Sequence, residues 1–252
     1  MGFEVAADSY GRFMGRYAEP LAAEFAGFAG VTPGQRVLDV GCGPGALTAV
    51  LVDLVGARQV AAVDPSPPFV AATIRRCPGV DVQPGVAEDL PYADASFDVA
   101  LAQLVVHFMK DPVAGLREMA RVTGRGGTVA ACVWDHAGGG PLTTFWDAVH
   151  HLDPEVPGES ELAGAREGHL AELFEAAGLT DIDSTRLTVR VDYDSFEDWW
   201  EPYTLGVGPA GDHVQGLDDE ARSELAAACR AILPEAPFTV TAAAWTVRGT
   251  RS

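Results

Sequence analysis

The stretch VLDVGCGPG, Val37–Gly45, decides the fold. Four residues of extended, mostly apolar chain run into a turn with glycine at every second position, and Ala46 then opens a segment whose Leu47, Val50, Leu51 and Leu54 recur at helical spacing. This is a strand, a tight turn and a helix. Gly41, Gly43 and Gly45 permit positive backbone torsions and carry no side chain, so a ligand can lie against the backbone where the strand ends. In open α/β sheets that carboxyl edge is where ligands bind.

Working outward, short runs rich in Val, Ala and Leu alternate with helix-periodic stretches, as parallel strands joined by helical crossovers require. Strands are expected at 36–40, 59–63, 80–83, 97–102 and 127–133, followed by two more at 184–191 and 238–247. Helices are expected at 16–28 (with Leu21, Phe25 and Phe28), before the fifth strand (Val113, Leu116, Met119, Ala120), at 142–152, at 169–177 closed by Gly178, and at 218–232. The reading is one α/β domain over 1–252, a doubly wound, Rossmann-like, mostly parallel seven-stranded sheet. An N-terminal helical cap spans 1–30, a ligand-binding core 31–135, and substrate-side elements 136–180 and 192–236, the latter inserted before the last strand.

Bulk properties narrow the partners. The 252 residues carry a formal charge of -19 with only 17 Lys and Arg, which argues against a nucleic acid held through its phosphates and against an anionic membrane surface. No signal-like start or membrane-length apolar run is read, so a cytoplasmic protein is expected. Cys42, Cys77, Cys132 and Cys229 lie far apart without metal-ligand spacing, and read as buried, reduced thiols rather than a metal site.

The glycines alone do not choose a ligand, because Gly41, Gly43 and Ala46 also fit the looser dinucleotide pattern of nicotinamide enzymes. Asp39 adds a discriminating charge: a carboxylate at the strand end sits poorly beside a pyrophosphate and suits a cationic sulfonium amino acid. Together with Asp64 at the end of VAAVD, VAEDLPY at 86–92 and SFDVALAQLVVHF at 96–108, the chain resembles the class I S-adenosylmethionine-dependent methyltransferases, in particular the type 11 small-molecule family. YGRFMGRYAEPLA at 10–22 is similar to a segment that folds over the cofactor in that family, and the resemblance extends over 132–154 and the final strand.

That resemblance implies methyl transfer from S-adenosyl-L-methionine to a small-molecule acceptor, leaving S-adenosyl-L-homocysteine. It implies cofactor contacts from Asp39, Gly41, Cys42 and Gly43 in the turn and from Asp64 and Pro65 after the second strand, Asp64 for the ribose. Ala87 and Glu88 are implied at the adenine, with Val86 standing where many relatives carry aspartate. Gln103 and His107 come next at the fourth strand, and Tyr10, Met14 and Arg16 come from the cap, where Arg16 could pair with the cofactor carboxylate or be a solvated helix-start residue.

Candidates for a general base are His107 and His150, the second bordering the apolar face of 142–152. His107 could equally be a packing residue, whereas His150 could enter the acceptor pocket. His136 comes after the fifth strand at a pocket position or is merely exposed; His169 carries no signal, and His213 either carries none or belongs to a lid formed by the insertion. Trp199, Trp200 and Tyr203 fit an aromatic wall under a lid or a small satellite core. The segment 155–168 looks least like the family. Two other functions stay open: a protein of this fold that binds the cofactor without transferring methyl, and a nicotinamide-dependent oxidoreductase.

Overall fold

The computed structural model describes residues 7–252; the first six residues of the expected cap lie outside the described residues. Seven strands form one sheet: β1 (Val37–Val40), β2 (Val60–Asp64), β3 (Asp81–Pro84), β4 (Phe97–Gln103), β5 (Thr123–Trp134), β6 (Thr180–Tyr193) and β7 (Phe238–Thr250). Their order is β3-β2-β1-β4-β5-β7-β6. Pairings from β3 to β5 are parallel, and β7 lies antiparallel between β5 and β6.

The helices are α1 (Ala7–Tyr10), α2 (Arg16–Ala29), α3 (Ala46–Val55), α4 (Pro67–Arg76), α5 (Pro112–Val122), α6 (Thr143–Leu152), α7 (His169–Ala177), α8 (Phe196–Trp200), α9 (Gly208–Gly216) and α10 (Asp219–Ile232). A single π-helical turn, Gly11–Gly15, joins α1 to α2. Caps set several of these boundaries. The Asp111 and Asp218 carboxylates accept the backbone N–H of Ala114 and Ala221 at 2.9 Å each, and Gly178 ends α7 in the left-handed conformation.

Side chains alternate across the sheet and feed two apolar layers. Val37, Val99, Leu101, Ala130 and Cys132 join α2, α3 and α6 on one face, whereas Leu38, Ala100, Val129, Ala131 and Val133 join α5 and α7 on the other. Strands buried on both faces read as continuous apolar runs, which is why β1 and β2 stand out in the sequence. Helical periodicity overreaches at two helix ends: Leu54 and Leu152, in the last turns of α3 and α6, are 39% and 41% exposed.

The aromatic insertion resolves to core. Trp199 and Tyr203 are among the most deeply buried side chains and belong to the same apolar layer as α2 and α6. Tyr203 stacks on Phe145 at 4.7 Å and meets Phe13 edge-on at the same distance. The cap is thereby anchored to the insertion as well as to the sheet. The site is reached by Val207–Ala210, a few residues beyond Tyr203, rather than by the tryptophans themselves.

Candidate active site

Strand order reverses between β1 and β4, whose outward-leading connections run to opposite sides and open a crevice at their carboxyl ends. The glycine turn occupies that crevice. Gly41, Gly43 and Gly45 have φ of 71°, 54° and 89°, a left-handed region that side chains disfavour. The turn is pinned to β2, since the N–H groups of Gly41 and Cys42 donate to the Val63 carbonyl at 2.7 and 3.0 Å. A Cβ on Gly41 would lie 2.5 Å from a Val105 methyl, so the turn is also packed against the connection after β4. Cys42 is buried with its thiol near the Thr73 hydroxyl, and contributes packing and backbone to the turn.

Asp39 is almost fully buried. The Thr48 hydroxyl donates to its Oδ2 at 2.6 Å, while Oδ1 has no hydrogen-bond partner among the described residues. Burial, reinforced by the charge of nearby Asp64, pushes its carboxyl up to about 7. Asp64 accepts the N–H of Gly43 and of Ser66, each at 2.8 Å, and burial outweighs these bonds in raising its carboxyl above the ordinary range. Each Asp64 oxygen retains a second lone pair for a ligand hydroxyl. Pro65, next along, is exposed at the crevice rim.

Gln103 ends β4 with its amide N–H donating to the Ala18 carbonyl of the cap at 3.0 Å, leaving Oε1 buried and without a partner among the described residues. Ala87 is buried, but Glu88 is committed elsewhere: its Oε1 accepts the N–H groups of Lys110 and Asp111 at 2.7 and 3.3 Å, holding the approach to α5. Of Ala87 and Glu88, the first therefore offers backbone, and the second a carboxylate already tied to a loop.

A cavity of about 440 Å³, counting its open mouth, adjoins this crevice. Tyr10, Phe13 and Met14 of the cap line it, with Leu104 and His107 from the β4 side, Trp134 and His136 from the end of β5, Glu159, and Val207–Ala210 after the aromatic insertion. Leu104, the residue after Gln103, holds φ of 62°, a strained conformation for a side-chain-bearing residue placed where strand meets cavity. His107 and His136 face each other with ring centroids 5.5 Å apart. Burial lowers both imidazoles, His107 well below its ordinary value and His136 to about 4, so both are neutral at physiological pH.

Residues 38–131 match a family model described as a methyltransferase domain. A demethylmenaquinone methyltransferase of Paenarthrobacter aurescens is 30% identical over 176 residues, covering 63% of this chain and 67% of that protein. The chain belongs to the methyltransferase-domain family. A demethylmenaquinone methyltransferase of Renibacterium salmoninarum is 32% identical over 58% of this chain and 62% of its own length, and other curated relatives are matched over as little as 38% of theirs. The solved YcgJ protein of Bacillus subtilis shares the fold with a TM-score of 0.58 at 21% identity, over 93% of this chain and 98% of that one.

Within this methyltransferase-domain chain, two residues chosen from the sequence stand away from the crevice. The Arg16 guanidinium grips Asp198 through two bonds of 2.8 and 3.1 Å, donates to the Asp192 carbonyl at 3.0 Å and lies over the Tyr193 ring at 4.2 Å. It fastens cap to insertion. His150 stacks on Trp146, and its Nε2 donates to the Val156 carbonyl at 3.1 Å; it does not line the cavity. Helical phase puts it at the border of an apolar face, and the 153–158 loop folds over that border.

Glu159 has no signal in the sequence. It sits 4% exposed in the 155–168 segment, and its Oε2 accepts the Trp146 indole N–H at 2.7 Å. Burial pushes its carboxyl up to about 7. No periodicity or motif flags a single acidic residue within EVPGESELAGAREG. Its importance arises only because Trp146, in a different element, draws it into the cavity wall.

Proposed function

We propose that this protein is a cytoplasmic methyltransferase that transfers the methyl group of S-adenosyl-L-methionine to a small-molecule acceptor. The observation that carries the reading is Asp39: a buried carboxylate oxygen without a donor among the described residues, at the carboxyl end of β1 beside three positive-φ glycines. A buried carboxylate with one oxygen left unpaired is costly. The ammonium of a sulfonium amino acid supplies both the missing donor and the missing charge, whereas a pyrophosphate would add to the repulsion.

Other residues fit the same ligand. Asp64 stands where the two ribose hydroxyls can reach its spare lone pairs, the Gln103 oxygen, without a partner among the described residues, can accept from the amino-acid end, and the turn leaves backbone open to close approach. Tyr10 and Met14 cover this end from the cap, with Tyr10 edge-on to Phe69 at 5.5 Å. Arg16 is left out of the proposed set because Asp198 already neutralises it, and Glu88 is retained only for its place beside Ala87. The cofactor supplies an activated methyl group. The protein's share is alignment of the acceptor, exclusion of water by the apolar cap and placement of proton acceptors at the cavity.

Thermal unfolding with and without ligand tests the reading. S-adenosyl-L-homocysteine is expected to raise the melting temperature and NADH to leave it unchanged; the reverse pattern sinks the proposal. Incubation with methyl-labelled cofactor and small-molecule acceptors, followed by mass spectrometry, then separates transfer from binding alone.

A further inference from the structure

The cavity that adjoins the crevice is apolar except at a few buried polar atoms, and those atoms say what it takes. Nδ1 of His107, both ring nitrogens of His136 and Nε1 of Trp134 are all buried without a hydrogen-bond partner among the described residues. All three side chains line the same cavity. Leaving such buried polar atoms unmatched is unfavourable, and one ligand group placed between the two imidazoles can complete a nitrogen on each.

We propose that the acceptor is an apolar, ring-sized molecule whose reactive group is a hydroxyl, held between His107 and His136, with His136 receiving its proton. This rests on the methyl-transfer reading above. A neutral imidazole has one N–H and one bare nitrogen. A hydroxyl therefore matches a facing pair: it accepts from one ring and donates to the other. Two nitrogens bridged by one oxygen through bonds of about 2.8 Å stand roughly 4.5 Å apart, which rings centred 5.5 Å apart accommodate.

His136 is the better proton acceptor because both of its nitrogens are unpartnered among the described residues, so whichever faces the acceptor can be the bare one. Leu104, Phe108, Trp134, Leu142, Val207 and Pro209 supply the apolar surroundings. In the transfer the hydroxyl oxygen forms a bond to the methyl carbon, the carbon–sulfur bond breaks with its electron pair remaining on sulfur, and the hydroxyl proton passes to His136. One positive charge is lost at sulfur and one appears on the imidazole, which is how a ring that burial keeps neutral can accept a proton at that moment. The product is an ether.

The test uses the protein saturated with S-adenosyl-L-homocysteine and three probes of one size: 2-naphthol, 2-naphthylamine and 2-methoxynaphthalene. Naphthol is expected to raise the melting temperature further, the amine and the ether not. In spectra of the protein carrying ¹⁵N-histidine, naphthol should move two ring signals, identified through His107→Gln and His136→Gln. His136→Leu and His136→Asn should keep the homocysteine shift, which reports an intact fold, and lose the naphthol shift. With methyl-labelled cofactor, the product should be 2-methoxynaphthalene.

Equal binding of the ether, stronger binding of the amine, a naphthol shift that survives in both His136 variants, no naphthol shift in the wild type, or methyl on a ring carbon would each overturn the proposal. Absence of the homocysteine shift in the wild type would instead overturn the cofactor reading, so the two failures are distinguishable.

Discussion

The Thr48 hydroxyl donates to one carboxylate oxygen of Asp39 at 2.6 Å and leaves the other, equally buried, without a donor among the described residues. One bond from a neighbouring helix is enough to orient the carboxylate and too little to offset its burial. The site is thus poised for a cation, and its electrostatics should be readable in solution.

For Asp39→Asn, affinity for S-adenosyl-L-homocysteine by calorimetry is expected to fall roughly tenfold to a hundredfold, the scale of one hydrogen bond to a charged group. With the free carboxyl at about 7, cofactor binding at lower pH must expel a proton. Wild-type affinity should therefore weaken as pH drops below about 7 and level off above it, and the variant should lose that dependence. Stability carries the matching sign. The folded chain holds more protons than the unfolded one between the ordinary carboxylate range and about 7, so Asp39 lowers stability as pH rises through that window. Relative to wild type, the variant should gain stability there.

Gly41→Ala meets two costs. A left-handed φ of 71° costs a side-chain-bearing residue about 1–2 kcal/mol, and overlap with Val105 adds about 1–3 kcal/mol of overpacking. Urea unfolding should show a total loss of about 3 kcal/mol. Val105→Ala introduced beside it should recover the overlap and leave the torsional part; a double variant no better than the single one would mean that the methyl contact is not the cause.

Arg16 and Asp198 are expected to behave as a structural pair. A double-mutant cycle with Arg16→Ala and Asp198→Ala should give a coupling of about 1 kcal/mol, the upper end for a partly exposed pair and consistent with its two parallel bonds. Loss of S-adenosyl-L-homocysteine binding by Arg16→Ala but not by Asp198→Ala would restore Arg16 to the cofactor carboxylate.

Much of this protein is legible along the chain. Asp39, Asp64 and the three glycines belong to local strand–turn units, and strands buried on both faces announce themselves as apolar runs. Residues 169–177 are readable for the same reason: helical periodicity and Gly178 are properties of neighbouring residues. Arg16 is misplaced by a local reading because its partner, Asp198, lies 182 residues away, and nothing nearby distinguishes a guanidinium reaching for a ligand from one reaching for an insertion. His150 and Glu159 escape for a different reason: their partners, the Val156 carbonyl and the Trp146 indole, lie only 6 and 13 residues away, but an irregular loop with no periodic pattern brings them together.

By itself, then, the sequence determined the doubly wound sheet, the glycine turn and the acidic ends of its first two strands, since backbone torsion, hydrophobic period and strand register act between near neighbours. Only the tertiary structure decided which histidine faces which, that His107 and His136 share a cavity with Glu159 while His150 does not, and that the aromatic insertion is core. Those outcomes depend on how β4, β5, the cap and the 155–168 segment pack together, and contacts between elements distant in sequence leave no periodic trace in it.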